Sequence, residues 1–335
     1  MTGFVLAIAL AFAFAVTNGF HDAANAIATL VATRVAHPLP AVALAAVCNM
    51  LGPVFVGAAV ARTVAGIVQV PVSEEIAVVG AGLTGAVAWN VFTWIRGIPS
   101  SSSHALVGGL VGAALVAAGV HAVNWGGLDG WRPIGVIGIL VVLSLSPVVG
   151  FAAAVGLTRV MLRLLRRATV RVRGPVRSTQ WATSAWLAFS HGANDAQKTV
   201  GVVIALLFAH GSIHTLHAQL WVELACGFAL TLGTAMGGWT IVRTIGTRIT
   251  RLRPLDGLVS QAGSAAVILT SSFLGAPVST TQVVSSSVVG TGVGRGRPAH
   301  VHWRIVRSIA FTWITTIPAA GLVAAGSYPL WRWLT

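Results

Sequence analysis

The sequence predicts an all-α polytopic membrane protein made of two inverted repeats, each with a broken transmembrane helix and a re-entrant helical hairpin. Hydrophobic residues make up 56% of the 335-residue chain and charged residues only 8%, whereas a soluble domain has roughly 25% charged residues. Several apolar runs reach the ~20 residues that cross a bilayer. One run in each half has a polar centre, which is typical of a transporter's central site.

The charge is strongly basic but indicates no nucleic-acid partner. The net charge is +14, from 21 Lys and Arg against 7 Asp and Glu. The arginines flank apolar runs, so we interpret them as anchors of cytoplasmic loops in a lipid bilayer. Cys48 and Cys226 lie inside apolar runs and are expected to be small core residues. We expect no cofactor and no enzymatic activity.

The first apolar run, residues 3 to 35, is polar at its centre. It contains Asn18, His21, Asp22 and Asn25. A carboxylate inside a bilayer costs from about 2.5 kcal/mol upward, so it marks a functional site by default. Because Asn18 and Gly19 disfavour helix, we expect the helix to break there, where freed backbone groups face protein or a watery cavity.

The second half repeats this design within residues 181 to 209. His191, Asn194, Asp195 and Lys198 lie at the centre of that run. A second broken helix is therefore expected at this motif.

Two polar tips interrupt other apolar runs. Residues 97–104, including Ser101, Ser102 and Ser103, lie between two runs that each have the length of a short helix. Residues 275–282, including Ser279, Thr280 and Thr281, are flanked in the same way. Each tip is predicted to be the turn of a re-entrant hairpin.

Matching spacings indicate an internal duplication. The Pro99, His104 and Gly112 positions have the same spacing as Pro277, Gln282 and Gly290. We therefore divide the chain into a first inverted repeat (1–158), a basic cytoplasmic linker (159–178) and a second inverted repeat (179–335). The positive-inside rule places the linker in the cytoplasm, and the span count then places both termini outside the cell membrane.

The tips are candidates for oxyanion binding. Helix N-termini present unpaired N–H groups and the positive end of a dipole, and hydroxyls add further donors. The alternative is that Ser101–Ser103 and Ser279–Thr281 only cap helices. Other candidate ligands of the anion are Asn25, Asn194, Lys198 and Arg96, although Lys198 also suits an ion pair with Asp195 and Arg96 also suits snorkelling.

The two aspartates suit a cation instead. Asp22 and Asp195 are acceptors, so we expect them to bind a coupling ion: sodium, a proton or a divalent metal. Asn18 and Asn25 offer carbonyl oxygens to the same cation. Since Lys198 can neutralise Asp195, Asp22 is the stronger candidate; a purely structural role for both is the alternative.

Two other classes of protein share some of these features. Ser103, His104 and Asp22 supply the residue types of a serine hydrolase, but adjacent Ser and His point apart on a helix and no nucleophile elbow is present. An anion channel is the other alternative. Symmetric polar helices with opposed hairpins favour alternating access.

Taken together, the motifs at 18–25, 191–198, 99–104 and 277–282 resemble those of the inorganic phosphate transporter (Pit) family, and the Gln197-Lys198 ending resembles its bacterial branch. The resemblance implies a homodimeric secondary transporter that carries phosphate with sodium, with protons or as metal–phosphate. Gln282 and Gln261 depart from the residues common in the family. Sulfate permeases of the same fold are the alternative within transporters.

Overall fold

The computed structural model describes residues 1–129 and 132–335, and within them it contains twelve α-helices. Those of the first half are α1 (Thr2–Ala32), α2 (Pro38–Val56), α3 (Ala59–Ala65), α4 (Val72–Arg96), α5 (Ser102–Ala118) and α6 (Gly135–Leu164). Those of the second half are α7 (Arg173–Ala209), α8 (Leu220–Met236), α9 (Trp239–Arg243), α10 (Pro254–Phe273), α11 (Thr280–Gly294) and α12 (Trp303–Leu334). A π-helical turn, Thr244–Arg248, extends α9. Strands Leu128–Asp129 and Arg132–Pro133 pair antiparallel.

Several of these helices can cross a membrane. Six described helices are long and apolar enough, namely α1, α2, α4, α5 with the turn after it, α6 and α12. The pair formed by α8 and Trp239–Arg248, bent by 65°, raises the number to seven when it is counted as one span. The all-helical membrane fold predicted from the sequence is confirmed.

The predicted break in the first helix of each repeat is wrong in its position. Helix α1 runs without interruption from Thr2 to Ala32, through Asn18 and Gly19. A Cβ at Gly19 would meet the backbone of α8 at Leu230 and Gly233. Gly19 is therefore needed for a close helix crossing, in the manner of small residues in membrane helices.

The second repeat uses the equivalent contact. Helix α7 is continuous through His191 and Gly192, and a Cβ at Gly192 would meet the backbone of Asn49 in α2. The interruptions lie one helix later in both halves. Gly57, with φ 76°, separates α2 from α3, and Gly237, with φ 70°, begins the bend between α8 and α9.

Reciprocal hydrogen bonds join the two repeats. The Thr63 hydroxyl donates to the Gly275 carbonyl at the start of the second tip, at 2.8 Å. In the other direction, the Thr244 hydroxyl donates to the Gly97 carbonyl at the start of the first tip, at 3.1 Å. Each repeat thus holds the hairpin of the other, as expected for an intertwined duplication.

The basic segments gather on one face of the molecule. Arg177 donates to the Arg34 carbonyl at 2.9 Å, and Arg295 pairs with Asp256 at 2.5 Å. The opposite face contains both chain ends. There the Phe4 ring stacks on His210, with 3.9 Å between ring centroids. Both chain ends therefore lie on the face opposite to the linker, and which face is cytoplasmic stays a prediction.

Two apolar clusters enclose a polar layer. One cluster includes residues 7–14 of α1 and 200–207 of α7, and the other includes residues 24–30 of α1 and 187–188 of α7. The polar motifs lie between these clusters on both helices. Both hairpin tips reach the same layer, as re-entrant hairpins must.

We predict that Gly192→Val destabilises the fold by about 1–3 kcal/mol, because the added side chain overpacks a contact with the α2 backbone. Gly156→Val is the matched control, since a Cβ at Gly156 would meet nothing within 4 Å. The measurement is the thermal unfolding temperature of both variants in detergent. Equal temperatures for the two variants would contradict the close crossing.

Candidate functional site

Two of the predicted tip residues are helix caps. The Ser101 hydroxyl accepts from the His104 backbone N–H at 3.3 Å, and the Ser279 hydroxyl accepts from the Gln282 backbone N–H at 3.4 Å. The capping alternative therefore describes Ser101 and Ser279. The remaining tip hydroxyls instead contact buried charged side chains.

Both tips donate to Asp22. The Thr281 hydroxyl lies 2.6 Å from Asp22 Oδ1, and the hydroxyls of Ser102 and Thr280 each lie 3.3 Å from Oδ2. The Ser102 hydroxyl also lies 2.6 Å from Asn18 Oδ1, so its single hydrogen is shared between the asparagine and the carboxylate. Asp22 is 1% exposed. The structure thus brings Asp22 to the meeting point of the two hairpins.

Asp195 has a different environment because Lys198 lies beside it. The Lys198 ammonium donates to Asp195 Oδ1 at 2.5 Å, to the Ser103 hydroxyl at 2.5 Å and to the Val278 carbonyl at 2.9 Å. These three bonds use all the ammonium hydrogens. The ion-pair interpretation of Lys198 therefore describes this conformation, and Asp22 is the less compensated carboxylate.

The asparagines leave acceptor atoms unused. Asn25 donates through Nδ2 to Thr281 at 3.1 Å, and Asn194 donates to Ser272 at 3.0 Å. The Oδ1 atoms of both side chains are buried without a hydrogen-bond partner among the described residues. Buried acceptors of this kind call for a donor or a cation.

A chain of hydrogen bonds fixes the tautomer of His191. The Thr234 hydroxyl donates to the Leu230 carbonyl at 3.0 Å, so it must accept from Asn49 Nδ2, at 2.9 Å. Asn49 Oδ1 then faces His191 Nδ1 at 3.1 Å, and this nitrogen must donate. In a neutral imidazole, Nε2 is therefore left with a lone pair.

That lone pair faces two carboxylates. His191 Nε2 lies 3.0 Å from Asp195 Oδ2 and 4.0 Å from Asp22 Oδ2. All three atoms are acceptors when His191 is neutral. The ligand atoms of these three residues lie within 4.8 Å of one another, which suits a metal ion or another cation. Fixing the far nitrogen of a ligating histidine is a common feature of metal sites.

His21 has the same arrangement. The Thr93 hydroxyl donates to the Trp89 carbonyl at 2.9 Å, so it accepts from His21 Nε2, at 3.1 Å. The lone pair of a neutral His21 therefore lies on Nδ1, which is 3.2 Å from Asp22 Oδ1. A second acceptor nitrogen is thus directed at the carboxylates.

Charge in this layer is unbalanced. Among the described residues that form it, Asp22 and Asp195 oppose a single ammonium group, that of Lys198. One negative charge remains when the histidines are neutral. Because an uncompensated charge is expensive to bury, the arrangement favours an added cation or proton.

The site differs from the sequence prediction at three positions. Arg96 is not part of it, because its side chain is exposed and lies over the Phe92 ring, 4.9 Å from the centroid. Conversely, His21 and His191 were absent from the predicted ligands. Their signal was present in the sequence: His21 adjoins Asp22, and His191 is one helical turn before Asp195.

Buried polar helices, inverted repeats and paired re-entrant tips are typical of a membrane transporter. Comparison with known proteins identifies the family of transporters. The model of the phosphate transporter family matches residues 18–176 and again 165–324, one match for each half. The chain belongs to this family, which is one of transporters and not of enzymes.

Relatives cover nearly the whole chain. A "Probable low-affinity inorganic phosphate transporter" of Rhizobium meliloti is 40% identical over 97% of this chain and 94% of its own length. A protein of the same description from Bacillus subtilis is 38% identical over 97% and 96%. The solved structure of "The sodium-dependent phosphate transporter" has a TM-score of 0.85 at 25% identity, over 98% of this chain and 99% of that one.

We predict that Lys198→Met destabilises the protein by about 3–5 kcal/mol, because it leaves the Asp195 carboxylate buried without its partner. The double variant Lys198→Met with Asp195→Asn should recover most of that loss, since no unpaired charge remains. Thermal unfolding in detergent at neutral pH measures both. A double variant no more stable than Lys198→Met would mean that the ion pair is not what stabilises this position.

Proposed function

We propose that this protein takes up inorganic phosphate by symport with a cation bound between Asp22 and Asp195. The observation that supports the proposal is the placement of hydroxyls from both tips on the carboxylates. The Thr280 hydroxyl lies between the two aspartates, 3.3 Å from Asp22 and 3.1 Å from Asp195, so its single hydrogen can serve either carboxylate. The same hydroxyls are the donors that a tetrahedral oxyanion needs.

Competition for these hydroxyls provides the coupling. Without a cation, Ser102, Thr280 and Thr281 are held by the negative charge of Asp22. A bound cation neutralises that charge, so the hydroxyls can turn to the oxyanion. Cation and anion then stabilise each other across a short distance in a medium of low dielectric constant.

Three cations fit this account. The name of the sodium-dependent solved relative supports sodium, and the buried amide oxygens of Asn25 and Asn194 are suitable ligands for it. The lone pair of His191 instead favours a proton or a divalent metal that accepts nitrogen ligands. All three coupling modes place the positive charge at Asp22 and Asp195.

We further propose that the basic face is cytoplasmic and that both termini lie outside the cell membrane, from the positive-inside rule. The predicted homodimer remains a prediction. Sulfate is the competing substrate, because it offers the same tetrahedral oxygens.

The experiment is uptake of labelled phosphate and labelled sulfate into proteoliposomes, under an imposed sodium gradient, proton gradient or added divalent metal. We expect concentrative phosphate uptake driven by one of these. Uptake of sulfate without phosphate would overturn the substrate, and conductance at channel rates would overturn symport.

We predict that Asp22→Asn lowers the rate of concentrative phosphate uptake about tenfold or more, because the cation loses its principal charged ligand. Exchange of internal for external phosphate should survive, since the tip hydroxyls remain. Both are measured at equal amounts of reconstituted protein. Full gradient-driven uptake by Asp22→Asn would show that the aspartate is structural.

A further inference from the structure

A cavity of about 490 Å³ lies beside the second tip, on the face opposite to the basic segments. Helix α3, the start of α6 and the tip residues Leu274–Pro277 form its walls. Helix α6 begins here at Gly135 and ends 30 residues later at the arginine-rich linker, which is about 45 Å away along a helix. The cavity therefore opens on the face that contains the chain ends.

Polar groups line one side of this cavity. Arg62, Thr63 and Asn124 are among the lining residues. Arg62 has an exposed side chain and forms no ion pair with any described residue. An unpaired guanidinium in a cleft with apolar walls attracts oxyanions and concentrates them.

A single stretch of backbone separates the cavity from the buried site. Ala276 and Pro277 line the cavity, while the next carbonyl, that of Val278, accepts from Lys198 at 2.9 Å and from Ser103 at 3.1 Å. The Ala276 carbonyl also lies 3.3 Å from Asn194 Nδ2. The wall between the cavity and the Lys198–Asp195 pair is thus a single stretch of chain, whose consecutive residues face the cavity and the buried pair.

On its cavity side, toward α3, this wall is held by a single side-chain bond among the described residues. Thr63 in α3 donates to the Gly275 carbonyl at 2.8 Å, and Gly275 has φ +70°. The equivalent wall of the first tip has a second side-chain bond, since Thr240 and Thr244 donate to the Trp94 and Gly97 carbonyls. In the first repeat, Ala59 occupies the position that corresponds to Thr240. On the side that faces the preceding short helix, the second tip therefore has one side-chain bond within the described chain where the first tip has two.

We propose that this cavity is the entrance vestibule of the buried site, in which Arg62 binds a phosphate-class oxyanion before the segment Gly275–Val278 moves aside. The proposal rests on the proposed function and adds to it the route and the first binding residue. The same chemistry could hold a phospholipid headgroup, so the experiment separates the two sources.

The first test is the kinetics of phosphate uptake by Arg62→Gln in cells that lack their own phosphate uptake. We expect KM to rise about 3- to 10-fold with the maximal rate preserved, and added inert salt to weaken the wild type more than the variant. Arg332→Gln is the control: it removes the same charge near the chain end, away from the cavity, from an exposed arginine that lies 3.7 Å from Glu74. An unchanged KM for Arg62→Gln would overturn the proposal.

Reconstitution separates free phosphate from lipid. If Arg62 receives free phosphate, the rise in KM persists in liposomes of phosphatidylcholine alone. A defect that appears only when an anionic lipid is included would assign Arg62 to a headgroup and overturn the vestibule. Absence of phosphate uptake by the wild type would instead be a failure of the proposed function.

The second test remains informative if Arg62→Gln folds poorly. Ala276→Cys, with Cys48 and Cys226 replaced by alanine, is treated in intact cells with a membrane-impermeant methanethiosulfonate carrying a sulfonate. We expect modification to stop uptake, and external phosphate to slow the modification. Modification that leaves uptake unchanged, or that occurs only in permeabilised cells, would contradict an external vestibule.

Discussion

The carboxylate of Asp22 is the charge on which the rest of the structure depends. It lies in a layer that two apolar clusters separate from both faces of the molecule, and it is 1% exposed. Such a charge persists only when donors surround it. The hydroxyls of Ser102, Thr280 and Thr281 meet this need, and because they come from opposite hairpins, the same bonds hold the two repeats together at the site.

The close packing of the helices follows from the need to deliver those hydroxyls. Gly19 in α1 and Gly192 in α7 allow backbone contact with α8 and α2, so the motif helices cross closely while staying continuous. Interruption of the chain is left to the following helix of each repeat, at Gly57 and Gly237. The fold thus separates the continuous helices that carry the buried carboxylates from the interrupted ones that bond to the hairpins.

Much of this arrangement could be predicted from the sequence, because burial of Asp22 and Asp195 in apolar runs is unusual enough to mark a site. The tips were recognisable from repeated spacing. The sequence does not reveal whether Gly19 interrupts its helix or lets another helix pack closely against it, because Asn18-Gly19 is compatible with both. The tautomers of His21 and His191 were also inaccessible, because they depend on Thr93 and Asn49, which are distant in the chain.

The central claim is that a cation releases the tip hydroxyls from Asp22 so that they can bind the anion. Binding of labelled phosphate to the purified protein in detergent, titrated with and without the coupling cation, tests it most directly. The account predicts that the cation tightens phosphate binding about tenfold or more in the wild type, with the reciprocal effect of phosphate on the cation, and that Asp22→Asn loses this dependence. Equal phosphate affinity with and without the cation in the wild type would contradict it.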